Sequence, residues 1–322
     1  MNRRVSMADV AAAAGVSGQT VSRVVNDSPR VDPVTRARVA AAMERLGYRP
    51  HRAARALRTG RSDTIGLLVS TLATVGNSRM LQAIAAAASL RGFALTVVTA
   101  EGPDAVADGF ARLREQGVDG AIILNEATRA AREVAVPGGL AVVVVDSPPD
   151  GRYAIVQTDH AAGARAATAH LLSLGRGAVW HLAGPDGSYA ASERERGWRE
   201  ALADAGMSAP DPLPGDWTAA SGYAAALSLP PDARALFVAN DQMALGALRA
   251  LAAQGRAVPD DVAVVGFDDV ADAADYRPPL TTVRQDFDAL GAAAVAALVA
   301  RIAGEAASPV ILTPTLVRRA SA

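Results

Sequence analysis

The sequence predicts a small all-α head joined to a larger α/β body of two lobes built on parallel sheets. Three observations carry this. Residues 6–26 read as two short helices joined by a tight turn. From Asp63 onward, short β-branched runs alternate with alanine-rich helical stretches. The two regions also differ in charge: residues 1–62 carry +8 and the remaining 260 residues −9, within a net −1 over 322 residues. A basic head on an acidic body says where a polyanion binds.

In the head, Ser6 is the expected N-cap of the first helix, with Asp9 as its acidic partner three residues on. Val10, Ala11 and Ala14 share one face, and Gly15 stops the helix by taking the left-handed conformation at low cost. Val16 fills the angle between the helices and Ser17 caps the second. Val21, Val24 and Val25 turn toward the first helix, which leaves Gln19, Thr20, Ser22 and Arg23 on the opposite face. One amide, two hydroxyls and a guanidinium suit base edges and phosphates. The spacing is that of a helix-turn-helix with Gln19–Arg23 as its recognition face. The competing reading is a helical hairpin whose polar residues face water. After a turn at Asn26–Pro29, Asp32 and Pro33 start a third helix as cap and first residue. Val39, Ala42, Met43 and Leu46 close a three-helix core before Gly47 and Pro50 end it.

Residues 51–62 form a basic linker able to become a short helix, with Ala53, Ala54 and Leu57 on one face. Two turns are marginal alone in water. One large apolar residue among arginines suits a minor-groove wedge, against the alternative of a solvated connector. In the body, strands are expected at 65–70, 93–99, 120–124 and 141–146, then as a second set at 153–158, 178–183, 235–239 and 262–267. Near-continuous apolar strands with helical crossovers mean parallel sheets covered on both faces. Two sets mean two similar lobes with a ligand cleft at the strand ends. A strand after Thr281, a helix over 287–303 and a final strand pair over 309–319 are expected to cross back between the lobes.

Polar residues recur just past strand ends: Ser70, Asp146, Asp159, Asn240-Asp241 and Asp268-Asp269. One alone reads as a helix N-cap. Five on two lobes around one cleft point to a ligand. With Arg194 and Trp217 from the second lobe's connections, they match a pyranose. Its hydroxyls need paired donors and acceptors, and its C–H face stacks on an aromatic ring.

Composition narrows the chemistry. There is no cysteine, and all 32 basic residues are arginine. Disulfides, thiol catalysis, Schiff bases and a Gly-Lys-Ser/Thr phosphate loop are therefore absent. The histidines at 51, 160, 170 and 181 have no metal spacing, and His181 within a strand reads as a core residue. Neither an enzyme, a metal site nor a cofactor is expected. No apolar run reaches the ~18 residues of a membrane span, and Met-Asn-Arg-Arg does not open a signal peptide. A cytoplasmic protein is expected, not an exported sugar-binding protein of the same two-lobed shape.

Several stretches carry a family resemblance: Ala-Asp-Val-Ala (8–11), Val-Ser-Gly-Gln-Thr-Val-Ser-Arg-Val-Val-Asn (16–26) and Gly-Tyr-Arg-Pro-His before Ala-Arg-Ala-Leu (47–57). In the body they are Gly-Asp-Trp (215–217), Val-Ala-Asn-Asp-Gln-Met-Ala-Leu-Gly-Ala (238–247), Val-Val-Gly-Phe-Asp-Asp (264–269) and Pro-Leu-Thr-Thr-Val-Arg-Gln-Asp-Phe (279–287). Across essentially its whole length the chain resembles the lactose-repressor/galactose-repressor (LacI/GalR) family of transcriptional regulators. The resemblance implies a helix-turn-helix DNA-binding domain over 1–50, a hinge over 51–62 and a periplasmic-binding-protein-like body over 63–322 with Rossmann-like lobes. Lobe 1 would comprise about 63–158 and 287–311, and lobe 2 about 159–286 and 312–322.

By position, the resemblance implies that Gln19 and Arg23 read bases while Thr20, Ser22 and Asn26 hold phosphates. Ser17 and Gly18 complete the DNA face, and Ala54 and Leu57 enter the minor groove of a palindromic operator. In the body, Asp146, Arg194, Asn240 and Asp268 would bind sugar hydroxyls and Trp217 would stack. Gln285 and Phe287 lie at the crossover, and Ser70, Thr74, Asn77 and Thr158 complete the ligand set. The implied protein is a repressor of a carbohydrate-utilisation operon, released by a small sugar, with a galactoside preferred. A purine- or phosphosugar-responsive regulator is the alternative. No leucine heptads follow Arg318-Arg319, so a homodimer is expected. Three places depart from the family pattern. Gly18 replaces a tyrosine, Thr74–Asn77 replaces a more apolar loop and Thr158 replaces an aromatic. They bear on base preference and on the part of the ligand beyond the first sugar ring.

Overall fold

The computed structural model describes residues 5–26, 28–48, 60–149 and 151–322. The expected hinge contacts Ala54 and Leu57 lie outside the described residues. The chain divides into two units, residues 1–62 and 63–322.

The first unit contains α1 (Met7–Ala14), α2 (Gly18–Val25) and α3 (Pro33–Leu46). Ser6 and Asp9 cap α1 reciprocally: Asp9 Oδ2 accepts the Ser6 N–H at 2.8 Å, and Ser6 Oγ accepts the Asp9 N–H at 3.3 Å. Gly15 ends α1 at φ 60° and Gly47 ends α3 at φ 63°, both in the left-handed region. Asp32 Oδ1 accepts the Thr35 N–H at 2.9 Å, capping α3 with Pro33 as its first residue. Val10, Val21 and Val39 meet at the centre with no exposed surface. Val24, Val25, Met43 and Leu46 flank them, partly buried. Tyr48, just past α3, is also buried in this core.

The second unit holds two sheets. The first contains β1 (Thr64–Val69), β2 (Ala94–Thr99), β3 (Gly120–Leu124), β4 (Ala141–Val145), β5 (Ala154–Thr158) and β10 (Val310–Leu312). Its order is β10-β5-β4-β3-β1-β2, all parallel. Helices α4 (Val75–Leu90) and α11 (Phe287–Ile302) cover one face, packing Ile84, Leu290 and Leu298 on Ile65, Ile122 and Val143. Helices α5 (Pro103–Glu115) and α6 (Glu126–Glu133) cover the other, with Phe110 and Ala131 against Leu68 and Val144.

The second sheet contains β6 (Val179–Leu182), β7 (Ala235–Val238), β8 (Ala263–Asp268), β9 (Thr281–Arg284) and β11 (Thr315–Val317), in the order β11-β9-β8-β7-β6. It lies between α7 (His160–Ser173) with α8 (Tyr189–Asp204) and α9 (Ala219–Leu227) with α10 (Asp241–Ala253). His181 sits in its core, stacked on Phe237 at 4.8 Å with Nδ1 3.1 Å from the Phe237 carbonyl. Burial pushes its pKa down to about 3, so it stays neutral.

Two expectations are corrected. The strand over 153–158 does not open the second set, as the strand pattern alone had it; β5 pairs with β4 in the first sheet, on the side of the lobe boundary that the resemblance implied. The final strands do not pair with each other either. β10 joins β5 in the first sheet, and β11 runs antiparallel to β9 in the second. Pro314 lies between them, where its missing N–H suits the break as the chain passes from one lobe to the other. The lobes are thus linked three times: between β5 and α7, between β9 and α11, and between β10 and β11. Among the described residues, no helix is long and apolar enough to cross a membrane.

Candidate functional site: a recognition helix and an interlobe cleft

On the head, Ser17, Gly18, Gln19 and Arg23 are exposed, and Thr20, Ser22 and Asn26 are half-buried. Ser17 Oγ caps α2 by accepting the Thr20 N–H at 3.1 Å and lies 2.9 Å from the Thr20 hydroxyl. Asn26 Nδ2 donates to the Ser22 carbonyl at 2.6 Å and closes the other end of the helix. Gln19 and Arg23 are four residues apart, so they share one exposed face of α2. A β-carbon on Gly18 would touch nothing within 4 Å, so the helix start presents open space there.

In the body, a cleft opens between the lobes. Thr74, Asn125, Asp146 and Phe287 line it, as do Arg194, Trp217, Asn240, Asp268 and Gln285. Four of these hold a backbone conformation that side chains rarely adopt: Asn125 at φ 46°, Asp146 at φ 55°, Trp217 at φ 75° and Asp268 at φ 118°. Such strain persists only where surrounding contacts over-determine it, and it gathers at ligand sites.

Those contacts are specific. Arg194 is 4% exposed and lies between two rings, 3.8 Å from the Phe267 centroid and 5.4 Å from that of Trp217. It donates to the Ala239 carbonyl, and through Nε to His160 Nδ1 at 3.4 Å, and its Nη2 is 3.5 Å from Asp268 Oδ1. Asp268 Oδ1 also accepts from Gln285 Nε2 at 2.7 Å, and Gln285 Oε1 accepts the Thr158 hydroxyl at 2.8 Å. The Thr158 N–H reaches Asp146 Oδ1 at 3.4 Å, and His160 Nε2 lies 2.9 Å from that oxygen, close but off-axis. The six residues therefore close a ring that crosses both lobes, with the Thr158 backbone N–H as one of its links. An Arg194 donor on His160 Nδ1 fits a neutral imidazole with its proton on Nε2, facing Asp146. Burial raises the Asp268 carboxyl above its ordinary range, and the Arg194 charge pulls it back.

The cleft gathers Thr74, Asp146, Arg194, Trp217, Asn240, Asp268, Gln285 and Phe287 from the expected ligand set. Asn240 caps α10 by accepting the Met243 N–H at 2.8 Å and holds the Trp217 carbonyl at 3.1 Å, so it fills both the capping and the cleft role. Three expected residues do not line the cleft. Ser70 lies off it at the end of β1. Asn77 is buried and donates to the Thr71 carbonyl at 2.9 Å. Thr158 is buried with its hydroxyl committed to Gln285. Of the remaining strand-end carboxylates, Asp159 caps α7, Asp241 accepts from Thr282 Oγ1 at 2.6 Å, and Asp269 is held by Arg284 and Arg319 at 2.6 Å each.

Two polar side chains in or behind the cleft escaped the sequence reading, besides apolar lining such as Met80 and Leu290. Asn125 follows β3 just as the other candidates follow their strands. It donates to Asn77, and its Oδ1 is buried with no partner among the described residues, an acceptor suited to a ligand hydroxyl. His160 stands beside Asp159 at the lobe crossover, a position that could have marked it.

Comparison with known proteins agrees with this anatomy. A family model described as "Bacterial regulatory proteins, lacI family" matches residues 6–51. One described as "Periplasmic binding protein-like domain" matches residues 168–322. The HTH-type transcriptional regulator CelR of Thermobifida fusca is 39% identical over 96% of this chain and 95% of its own. A crystal structure of the lac repressor dimer bound to operator and the anti-inducer ONPF superposes with a TM-score of 0.90 at 36% identity, covering 99% of each chain. A structure of a CelR–cellobiose complex gives a TM-score of 0.75 at 36% identity, covering 99% of this chain and 100% of that one. The chain belongs to the LacI family of bacterial regulatory proteins.

Proposed function

We propose that a neutral pyranoside, bound in the interlobe cleft, releases this LacI-family transcriptional repressor from its DNA operator. The protein acts in the cytoplasm as a homodimer on a palindromic site upstream of carbohydrate-utilisation genes. Gln19 and Arg23 read base edges in the major groove, Thr20, Ser22 and Asn26 hold phosphates, and Leu57 of the basic linker wedges the central step. The related lac repressor dimer bound to operator supports the dimeric, DNA-bound state.

The observation that carries the sugar reading is the set Asp146, Arg194, Asp268 and Trp217 around one cleft. Carboxylates accept from sugar hydroxyls, the guanidinium donates, and the indole offers a face to C–H groups. Two carboxylates lining the cleft oppose a phosphate, and Arg194 is already engaged by Asp268. Among sugars, a galactoside is the first candidate, from the likeness to the lac repressor, and cellobiose the second, from the CelR complex.

The test is a titration of the operator complex with galactosides, cellobiose, glucosides, a phosphosugar and purines, followed by fluorescence anisotropy. Release by a neutral glycoside supports the reading. Release by purines or phosphosugars alone overturns it, and tighter DNA binding with a sugar reverses the direction of the switch.

A further inference from the structure

The Phe-Asp-Asp stretch at the end of β8 carries two carboxylates, and of the two only Asp268 lines the cleft. Asp268 and Asp269 both hold positive φ, at 118° and 54°. Glycine meets such angles at little steric cost, whereas two successive side chains keep them only where contacts hold the corner.

Those contacts come from successive residues at the end of β9. Gln285 Nε2 donates to Asp268 Oδ1 at 2.7 Å, and Arg284 Nε donates to Asp269 Oδ2 at 2.6 Å. Arg319, beyond β11, donates through Nη2 to Asp269 Oδ1 at 2.6 Å and through Nη1 to the Leu280 carbonyl at 2.8 Å. The next residue is fixed as well, because the Val270 N–H donates to Asp241 Oδ2 at 2.9 Å. Asp241 comes this close because residue 266 is glycine; a β-carbon there would collide with Asp241 Oδ1. The Asp269 side chain is 6% exposed and that of Arg319 18%, so this pair is shielded from water far more than a surface ion pair. Arg284 is exposed and Gln285 buried, so the two pairs hold the corner from opposite sides. A corner turned so as to withdraw Asp268 from the cleft would draw Asp269 away from both arginines.

We propose that Asp269, clamped by Arg284 and Arg319, is a positioning residue for the sugar. It touches no ligand itself. It fixes the turn that aims Asp268 at a sugar hydroxyl. The inference rests on the pyranoside reading above. It gives the second carboxylate of the stretch a task, and it places Arg319, which lies beyond the last cleft residue in the chain, among the residues that set sugar affinity.

The test is isothermal titration of the full-length protein with methyl β-galactopyranoside, methyl β-glucopyranoside, lactose and cellobiose. The one that binds wild type most tightly is then used on Asp269→Asn, Arg284→Leu, Asp268→Asn and the double variant Asp268→Asn with Asp269→Asn. Asparagine accepts a φ of 54° and keeps the shape of aspartate, and Arg284 is exposed, so both clamp variants should fold. Asp269→Asn and Arg284→Leu should each weaken sugar binding about 10-fold and leave operator affinity without sugar as in wild type. In the Asp268→Asn background, Asp269→Asn should change sugar affinity by less than about two-fold, because a residue acting through Asp268 has nothing left to act on. A crystal structure of Asp269→Asn should show the Asp268 side chain turned away from Gln285. Unchanged sugar affinity in both clamp variants, even with a lower urea midpoint, makes the cluster a fold-stabilising ion pair and overturns the proposal. Full additivity with Asp268→Asn, or an Asp268 side chain that keeps its place in the variant structure, overturns it too. In each of these cases wild type still binds sugar and the pyranoside reading stands. Failure of every glycoside to bind wild type overturns both readings together.

Discussion

Asp268→Asn separates sugar recognition from DNA binding. Asp268 is 5% exposed, its Oδ1 accepts from Gln285 Nε2 at 2.7 Å, and Arg194 Nη2 stands 3.5 Å away. Asparagine has the same shape as aspartate, so the substitution leaves the backbone strain at φ 118° as it was. It keeps an acceptor for Gln285 and loses the negative charge. A sugar hydroxyl donating to a carboxylate forms a charge-assisted bond, worth about 1.5–3 kcal/mol. Its loss weakens sugar binding roughly 10- to 150-fold. Stability changes less, because the cost of burying the carboxylate disappears along with its attraction to Arg194. Arg194 keeps its His160 and Ala239 acceptors and the Phe267 and Trp217 faces. The expected loss is about 1–2 kcal/mol, below the ~3–5 kcal/mol of an uncompensated buried charge. Operator affinity, measured by anisotropy without sugar, should match wild type, and calorimetry should show the lost sugar affinity. A variant that binds sugar like wild type, or that loses operator affinity without sugar, would refute the assignment.

Three further outcomes follow from other parts of the chain. Arg23→Ala should cost about 1–3 kcal/mol on operator DNA and relax the preference at one base pair; equal losses on operator and random DNA would put the reading face elsewhere. Gly184→Ala places a β-carbon against the Trp217 ring. It should weaken glycoside binding about 3- to 10-fold with operator binding intact, and unchanged sugar affinity would remove Trp217 from the site. Asp241→Asn tests a buried carboxyl raised well above the ordinary range, first by burial and then by Asp268. A raised folded-state value means stability that is full below pH ~3.9 and is lost as pH rises through the folded-state value. The variant should therefore gain on wild type in urea midpoint from pH 5 toward pH 8, and a pH-independent difference between the two would contradict this.

The head was legible in the sequence because its signals are local. The Ser6–Asp9 box, Gly15, Asp32-Pro33 and Gly47 each act within one turn of the residue that carries them. In the body, strand positions were legible from apolar runs, but partners were not. Nothing in the apolar pattern of 153–158 says that it pairs with β4, and nothing in that of 309–319 says that its two halves belong to different sheets; only the lobe bounds implied by the family resemblance divided them so. The strand-end rule led to Asp146, Asn240 and Asp268, and it would have led to Asn125 had it been applied after β3. It could not separate these from Asp159, Asp241 and Asp269, because a polar group that lines the cleft and one engaged away from it look alike in sequence. Thr158 and Asn77 are the same case for neutral groups. His160 looked isolated because the Asp146 and Arg194 side chains beside it come from other elements.

The ring of Asp146, His160, Arg194, Asp268, Gln285 and Thr158 bears on how a sugar could move the lobes. A ligand shifts an equilibrium only by its difference in affinity for the two states. Contacts confined to one lobe are equal in both states and shift nothing, however strong they are. Asp146, Asn125 and Thr74 come from the first lobe, and Arg194, Trp217, Asn240 and Asp268 from the second, so a sugar in the cleft touches both. The lobes are already joined without it: Gln242 Oε1 at the start of α10 accepts the Val75 N–H of α4 at 2.9 Å, and Gln285 binds Thr158 and Asp268 at the crossover. A sugar in the cleft adds its contacts to a junction that is already hydrogen-bonded across the lobes. Couplings between effector and DNA sites are typically about 1–3 kcal/mol, or roughly 5–150-fold in affinity. Because that coupling is reciprocal, operator DNA must change sugar affinity by the same factor, in whichever direction the sugar changes operator affinity. The groups able to discriminate between lobe arrangements are those bound to both lobes at once, and in this cleft Gln285 is held on each side.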